Sequence, residues 1–237
     1  MALSRLAALR LPPAVEPLLG AMAFTAGNAD VFAFQQFHEI FTSAMTGNTA
    51  LLGLSLGQGH LLAAARSVAA IGGFVTGSAL GTSLHDAGGN VPRPTRFLRL
   101  IVAECLLLLL VAVIWPTLAR PVYGGPLFVL ILLQACAMGI QSAAGRELDQ
   151  PGISTVVFTS TLTIIAMTVT RAALGRSRKR VIERATRRQL GALGAYIVGA
   201  VVSAILGLIG PALLPVPALI AIAIAVSIAL LRPRAIG

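Results

Sequence analysis

Charged side chains are scarce in this sequence. Only 11% of its 237 residues are Asp, Glu, Lys or Arg, against about 25% in an ordinary soluble domain. The deficit is concentrated in long stretches that carry no charge, and 57% of the residues are hydrophobic. This pattern argues against a soluble domain and predicts a membrane protein, because a bilayer is the solvent that favours long uncharged stretches at a protein surface.

Aromatic residues and cysteines are also few. The chain has nine Phe, two Tyr and one Trp, so Leu, Ala, Val and Ile supply most of its apolar mass. Cys105 and Cys136 lie in apolar runs without a partner at metal-ligand spacing, and we interpret both as packing residues. Since no His/Cys cluster, HExxH, GxSxG or Gly-rich phosphate loop is present, we expect no enzyme activity, no metal and no cofactor.

The apolar runs predict an all-α fold, a polytopic transmembrane helical bundle that forms one domain over residues 1–237. Twenty-four glycines suit close helix packing in lipid. Eight helices are expected, at about 14–36, 42–56, 62–83, 97–118, 127–144, 154–170, 190–209 and 218–231. The second is short for a span of about 20 residues. Six spans plus re-entrant hairpins are therefore the alternative to eight spans.

The two halves of the chain, about 14–118 and 127–232, resemble each other. A shift of 113 residues superposes two hydroxyl-rich segments, Thr46-Gly47-Asn48 and Thr159-Ser160-Thr161, and places Asn28 on Gln141. A shift of 122 superposes two small-residue stripes, Gly73, Gly77 and Gly81 on Ala195, Gly199 and Ser203. These stripes allow close approach of neighbouring helices, within one chain or in a homo-oligomer. The repeated order of elements predicts an internal duplication, a common plan in transporters.

One acidic residue, Asp30, lies late in the first apolar run. A charge left in hydrocarbon costs about 2.5–3.5 kcal/mol even on the lenient insertion scale. Asp30 is therefore either a proton- or cation-coupling carboxylate that faces a central cavity, or a structural residue paired with a hydroxyl or a helix N-terminus. Glu104 is a weaker candidate, which we expect to pair with Arg99 or to reach the membrane surface.

The polar residues around the two helix starts are the candidate substrate and ion pathway. If these helices begin near the middle of the bilayer, their N-terminal amides suit an anionic group. The alternative is that the hydroxyls bond back to their own helices. The candidate residues are Asn28, Asp30, Thr46, Gly47, Asn48, Thr49, Gln141, Thr159, Ser160 and Thr161.

The motif Met45-Thr46-Gly47-Asn48-Thr49, with Asn28-Ala29-Asp30 upstream and Phe74 and Gly77 downstream, resembles the YoaK family of bacterial membrane proteins. That family is classed as a domain of unknown function. The resemblance covers about residues 17–232 and implies an integral membrane protein, with transport as one activity it allows, but no substrate. Family members usually have a Gly-Tyr pair before the Asp, whereas this chain has Gly27-Asn28-Ala29.

Basic residues outnumber acidic ones and predict the orientation. The net charge is +10. With eight spans and an inside N-terminus, fourteen Lys and Arg lie inside and four outside. We expect a multi-pass protein of the bacterial inner membrane with both termini in the cytoplasm. The basic segment 171–188, from Arg171 to Arg188, is interpreted as a cytoplasmic loop that binds anionic lipid headgroups rather than nucleic acid.

Together these observations predict a secondary transporter of a small polar or anionic solute, proton- or cation-coupled through Asp30. The alternative is a membrane protein that does not transport and acts as a scaffold or binds lipid or a partner. A cavity that reaches Asp30 favours the first function, and tight packing around Asp30 favours the second.

Overall fold

The computed structural model describes residues 15–86, 91–148, 158–174, 179–231 and 233. Eight α-helices and no strand are found in these residues, which confirms the all-α bundle. The helices are α1 (Val15–Gln36), α2 (Met45–Gly57), α3 (Leu61–Asp86), α4 (Arg93–Ile114), α5 (Gly124–Glu147), α6 (Phe158–Ala173), α7 (Lys179–Ile209) and α8 (Val216–Leu231). Short 3₁₀ turns follow α4 and α7, at Trp115–Thr117 and Pro211–Leu213.

Two helices begin four or more residues earlier than predicted. Helix α4 begins at Arg93 rather than 97, because Pro94 lies in its first turn, where a missing N–H costs nothing. Helix α7 begins at Lys179 rather than 190. The interpretation of the basic segment as a loop is therefore wrong from Lys179 onward, since Lys, Arg, Glu, Gln and Ala are good helix formers. Residues 154–157, the predicted start of the sixth helix, lie outside the described residues.

Five segments of the described chain are long and apolar enough to cross a bilayer. They are Leu61–Asp86, Arg93–Thr117, Gly124–Arg146, Arg187–Ile209 and Pro211–Leu231. Helix α1 has the length, at 22 residues, but polar residues interrupt its second half. Helices α2 and α6 have only 13 and 16 residues, which at 1.5 Å per residue is too short for a hydrocarbon core of about 30 Å.

Helices α1 and α5 lie at the centre of the bundle. Of the most apolar stretch of α5, 61% is buried, against 17% for α7. One hydrophobic cluster joins α1, α4, α5 and α8 around Met22, Ile101 and Met138. A second contains Phe32 and the ring of Trp115, whose centroids lie 4.9 Å apart. Thr25, Asn28 and Asp30 of α1 are therefore enclosed by protein.

Helices α1 and α7 run in the same direction along their length. Arg188 Nε donates to Glu16 Oε1 at one end, at 3.1 Å, and Gly207 lies against the Gln35 side chain at the other. Helices α3 and α5 also run parallel. Gly73 lies on the backbone of Leu132, and Gly81 approaches Ile140 and Ala143.

Helices α1 and α5, by contrast, run in opposite directions. Gln134 Nε2 donates to the carbonyl of Ala29 at 2.9 Å, and Gln141 Nε2 donates to the carbonyl of Met22 at 3.1 Å. Since α3 is parallel to α5, α1 also runs opposite to α3. Eight alternating spans would make α1 and α3 parallel. The observed directions fit the arrangement in which α2 turns back instead of crossing.

Both parallel helix pairs are held by backbone-to-backbone contact at glycines. A methyl group on Gly27 would overlap the carbonyl oxygen of Tyr196, and one on Gly199 would overlap that of Phe24. In the other pair, a methyl on Gly77 would overlap the carbonyl of Cys136, and one on Gly139 would overlap that of Phe74. Only glycine permits these approaches.

Candidate functional site

The carboxylate of Asp30 holds together three parts of the chain. Its side chain is buried on α1, with 1% exposure. Oδ1 accepts hydrogen bonds from the backbone N–H groups of Thr42 and Ser43, at 2.9 and 2.6 Å. Oδ2 accepts from Ser43 Oγ at 2.6 Å and from the hydroxyl of Tyr196 on α7 at 2.8 Å. Four donors therefore satisfy a carboxylate that would otherwise be costly to bury.

The segment between α1 and α2, residues 37–44, folds back toward Asp30. His38 and Glu39 both have positive φ angles, 58° and 64°, a conformation that non-glycine residues rarely adopt. The His38 ring contacts the carbonyl of Val122, with Nε2 at 3.2 Å. The reversal of the chain brings Thr42 and Ser43 to the depth of Asp30. We call residues 37–44 the re-entrant loop.

Asn48, in the first turn of α2, fixes the end of the re-entrant loop. Its Oδ1 accepts from the N–H of Phe41 at 2.9 Å, and its Nδ2 donates to the carbonyl of the same residue at 2.6 Å. Gly47 lies against the Phe41 ring, where an added Cβ would come within 3.0 Å of ring carbons. The Thr-Gly-Asn motif is thus a clamp on Phe41.

Helix α2 consequently begins beside Asp30, inside the bundle and not at its edge. Met45 follows Ser43 by two residues, so the positive end of the α2 dipole lies near the carboxylate. The sequence predicted that an anionic solute binds at this helix start. In the structure, the carboxylate of Asp30 lies there instead. Of the two roles considered for Asp30, pairing with hydroxyl and amide donors at a helix start is the one found in this conformation.

The predicted hydroxyls of α2 do not join the Asp30 site. Thr46 and Thr49 are exposed. Thr49 Oγ1 donates to the carbonyl of Met45, one turn back, at 2.9 Å. The side chains of Thr159, Ser160 and Thr161 on α6 lie outside the described residues.

Gln141 links α5 to a second buried carboxyl group, Glu104 of α4. Gln141 Nε2 lies 2.8 Å from Glu104 Oε1, and both side chains have 0% exposure. The expectation that Glu104 pairs with Arg99 or reaches the surface is therefore wrong. Helix α4 turns Glu104 toward the core, whereas Arg99 is exposed.

Several other buried polar atoms have no hydrogen-bond partner within the described residues. They belong to five fully buried or nearly fully buried side chains, Asn28 (both amide atoms), Glu104 (Oε2), Gln134 (Oε1), Gln141 (Oε1) and Ser203 (Oγ). Buried polar groups are normally paired. These atoms are therefore candidates for contact with water, an ion or a solute.

The predicted small-residue stripes lie between helices of this one chain. Gly73, Gly77 and Gly81 are buried against α5. Gly199 and Ser203 are buried on α7, and Gly199 contacts α1, whereas Ala195 is only half-buried. Across the part of the chain that the structure describes, no three His, Cys, Asp or Glu side chains come together to hold a metal ion.

Three partners of Asp30 were not among the predicted site residues, namely Thr42, Ser43 and Tyr196. Ser43 belongs to the polar stretch before α2, and its spacing from Asp30 gives no sign that the loop folds back. Tyr196 comes from a different helix, 166 residues away. The one available signal is its identity as one of only two tyrosines in the chain, since a buried Tyr hydroxyl usually needs a partner.

A family model described as a protein of unknown function (DUF1275) matches residues 18–227. The chain belongs to this family. The DUF1275 match confirms the resemblance inferred from the Met-Thr-Gly-Asn motif. A curated relative, the UPF0700 transmembrane protein YoaK of Bacillus subtilis (strain 168), is 30% identical over 188 residues, which cover 79% of this chain and 82% of the relative.

No solved structure matches the chain. The transmembrane relative and the five apolar segments together identify this DUF1275 protein as a multi-pass membrane protein. The relative's description names no substrate or activity.

Proposed function

We propose that this protein is a secondary transporter of a small polar or anionic solute. The observation that carries the proposal is that α2 begins beside Asp30 inside the bundle, after a loop that re-enters it. Interrupted helices whose ends meet near the bilayer midplane are the recurring device of transporters built from inverted repeats. A protein with only a scaffolding role has no need of a broken helix at this depth.

The helix directions support six spans, with α2 and α6 as re-entrant half-helices. In this arrangement α1, α3, α4, α5, α7 and α8 cross in alternating directions, and both termini lie on one side. With that side as the cytoplasm, sixteen Lys and Arg are inside and only Arg66 and Arg120 are outside. The eight-span arrangement places fourteen Lys and Arg inside and four outside. The positive-inside rule therefore favours the six-span arrangement.

The two helix crossings support an internal duplication with inverted topology. Gly27 and Phe24 of α1 correspond by a shift of 112 residues to Gly139 and Cys136 of α5. Phe74 and Gly77 of α3 correspond by a shift of 122 to Tyr196 and Gly199 of α7. The shift that aligns α1 with α5 is thus 112 residues, one fewer than the 113 inferred from the sequence. Since α1 and α5 run in opposite directions, the halves are inverted repeats.

Asp30 would couple transport to an ion by releasing the re-entrant loop. As an anion it accepts bonds from Thr42, Ser43 and Tyr196. A proton on one oxygen, or a cation bound there, removes part of this acceptor capacity and frees the loop to move away from α7. The solute would then meet the unpartnered polar atoms of Asn28 and Ser203, which lie on α1 and α7, the two helices that the Asp30–Tyr196 bond connects.

The bacterial inner membrane is the proposed location. The segment from Arg171 to Arg188 would bind anionic lipid headgroups on the cytoplasmic side, and no nucleic acid partner is proposed. The glycine stripes do not require a homo-oligomer, because they are used within one chain.

A ligand screen tests the proposal directly. Purified protein would be heated with and without small polar metabolites, anionic metabolites, Na⁺ and K⁺, and at several pH values. A transporter is expected to be stabilised by at least one solute, and to lose that shift on Asn28→Leu but not on Thr46→Ala. Uptake of that solute into liposomes that contain the protein, abolished by Asp30→Asn, would complete the test. A screen without any stabilising solute, and liposomes without uptake, would contradict it.

Thiol labelling of intact cells tests the six-span arrangement. Single cysteines would be placed at Gln58, Thr95 or Ala119 in a chain whose Cys105 and Cys136 are replaced by Ala. Six spans predict labelling by an impermeant reagent at Gln58→Cys and Ala119→Cys and protection at Thr95→Cys. Eight spans predict the reverse at all three sites.

The second candidate function, a scaffold that does not transport, is favoured by the enclosure of Asp30. Four donors satisfy its carboxylate, and neither of the two cavities found along α1 and α7 is lined by it. Under this function Asp30→Asn would lower thermal stability without a solute-dependent difference from the unmodified protein.

A further inference from the structure

A groove made of two adjoining cavities runs along one side of α1, beside α7 and, in its second part, also beside α8. The end of this groove nearer the start of α1 is a cavity of about 250 Å³ beside Glu16, Arg187 and Arg188. The adjoining cavity, of about 530 Å³, is lined only by apolar residues and glycine, among them Phe24 and Ile224. Gly20 lines both cavities, so the charged end opens directly into the apolar part. We call the whole feature the α1–α7 groove.

Glycines leave room in the α1–α7 groove. An added Cβ at Gly20 or at Gly191 would meet no heavy atom within 4 Å. On the opposite walls, Val198 and Ile220 are 54% and 55% exposed. The groove is therefore open at the surface of the bundle, and it extends along α7 for about three helical turns from Arg188 to Val198, or roughly 15 Å.

The charges at the mouth favour an anionic group. Arg188 donates to Glu16 at 3.1 Å and is only 14% exposed, so this ion pair holds its guanidinium at the groove. Arg187 is exposed beside it. Two arginines and one glutamate leave a net charge of one positive unit, which matches a single phosphodiester. Guanidinium groups bind phosphate oxygens through fork-like pairs of hydrogen bonds.

We propose that the α1–α7 groove binds one anionic phospholipid, with its phosphate at Arg187 and Arg188 and an acyl chain along Gly20, Phe24 and Ile224. The two parts of a phospholipid have the same order and polarity as the two parts of the groove. This proposal is more specific than a general attraction of lipid headgroups to the basic segment 171–188, because it assigns one lipid to one site. It does not depend on whether the protein transports a solute.

Binding would be measured on the purified full-length protein by native mass spectrometry, with phosphatidylglycerol and phosphatidylcholine of identical acyl chains. We expect selective retention of phosphatidylglycerol. Loss of each arginine, in Arg187→Gln and Arg188→Gln, should weaken its affinity by about fivefold. The matched control is Arg99→Gln, an exposed arginine outside the groove, which should leave the affinity unchanged.

A second pair of variants tests the acyl chain. Gly20→Leu places a side chain in the groove, starting from a Cβ position with nothing within 4 Å, and should displace the lipid. The control is Gly72→Leu, on the exposed side of α3, where an added Cβ also meets nothing within 4 Å. Glu16→Gln removes the competing carboxylate and should strengthen phosphatidylglycerol binding if the phosphate lies there.

Three results would overturn the proposal. Equal retention of phosphatidylcholine would exclude a headgroup site at the arginines. Equal displacement by Gly20→Leu and Gly72→Leu would exclude an acyl chain in the groove. Protection against heating by inorganic phosphate alone, to the same extent as by phosphatidylglycerol, would show a site for free anions and not for lipid.

Discussion

The two glycine crossings of this bundle, α1 on α7 and α3 on α5, share their backbone contacts but differ in polar chemistry. In each, a glycine lies on the carbonyl of an aromatic residue, Tyr196 in one and Phe74 in the other. The residue three positions after the glycine is Asp30 in α1 and Ser142 in α5. Only the first crossing therefore carries a carboxylate bonded to a tyrosine hydroxyl.

This difference separates two structural roles, close packing of two helices and attachment of the re-entrant loop. The glycine contact suffices to hold two helices close, since α3 and α5 pack without a carboxylate between them. The Asp30–Tyr196 bond adds something else, which is to fix the re-entrant loop against α7. Variants at matched positions of the two crossings can test that division.

The largest effect is expected from filling either crossing. Gly27→Leu and Gly77→Leu force side chains into neighbouring backbone, so each should cost more than about 3 kcal/mol and prevent recovery of monodisperse protein. Size-exclusion chromatography of detergent extracts would measure it. Gly72→Leu, with open space around it, should elute normally. If Gly77→Leu gave monodisperse protein and Gly27→Leu did not, the two crossings would not be equivalent.

A smaller loss is expected from Asp30→Asn. An amide keeps one acceptor for Thr42 and Ser43 but loses the charge, at a cost of roughly 1.5–3 kcal/mol. The matched change in the other crossing, Ser142→Ala, should cost under about 1 kcal/mol. Thermal unfolding of both variants in one detergent would measure the difference. Equal losses would remove the special role given to the carboxylate.

Removing the tyrosine hydroxyl sharpens the comparison. Tyr196→Phe leaves the ring and the glycine contact intact but deletes one bond to Asp30, for about 1–2 kcal/mol. It makes the first crossing resemble the second at this position. The reciprocal change, Phe74→Tyr, should give no gain in stability, because no carboxylate is placed three residues after Gly139. Thermal unfolding would again be the measurement, and a stabilised Phe74→Tyr would contradict this reasoning.

A loss of stability no larger than that of Tyr196→Phe is expected at the clamp on the re-entrant loop. Asn48→Ala removes two hydrogen bonds to Phe41 and should cost about 1–2 kcal/mol, with faster proteolysis or hydrogen exchange in residues 37–44. The adjacent Thr46→Ala is the control, since Thr46 is exposed and should change neither. Unaltered exchange in Asn48→Ala would mean that Asp30 alone holds the loop.

Much of the fold could be predicted from the sequence. Long uncharged runs are a local property, so they identified the eight helices of the described residues and placed most helix ends within a few residues. The exception, the early start of α7, arose because a basic segment was interpreted from its charge and not from its helix propensity. The family resemblance followed from a short motif that needs no structure.

The site could be predicted only in part. Asp30 and Asn48 were identified because a polar residue in an apolar run is conspicuous. The roles of Gly47 and Asn48 as a clamp on Phe41 were not predicted, since they depend on a reversal of the chain at His38 and Glu39 that has no clear sequence signal. Glu104 was expected to pair with Arg99 or to reach the membrane surface, and its contact with Gln141 was missed because the direction in which α4 turns its polar side depends on its neighbours.

The sequence by itself determined that this is a membrane protein, which segments of the described chain form helices, and the family to which it belongs. Hydrophobic runs and short motifs are properties of a few neighbouring residues, so they can be read without the structure. Only the tertiary structure decided that α1 and α5 run in opposite directions, that α2 starts inside the bundle, and that Tyr196 reaches Asp30. The first and third features depend on contacts between residues more than a hundred positions apart, and the second depends on a chain reversal that returns Thr42 and Ser43 to Asp30. Such contacts are selected by close packing and by the cost of an unpaired buried charge.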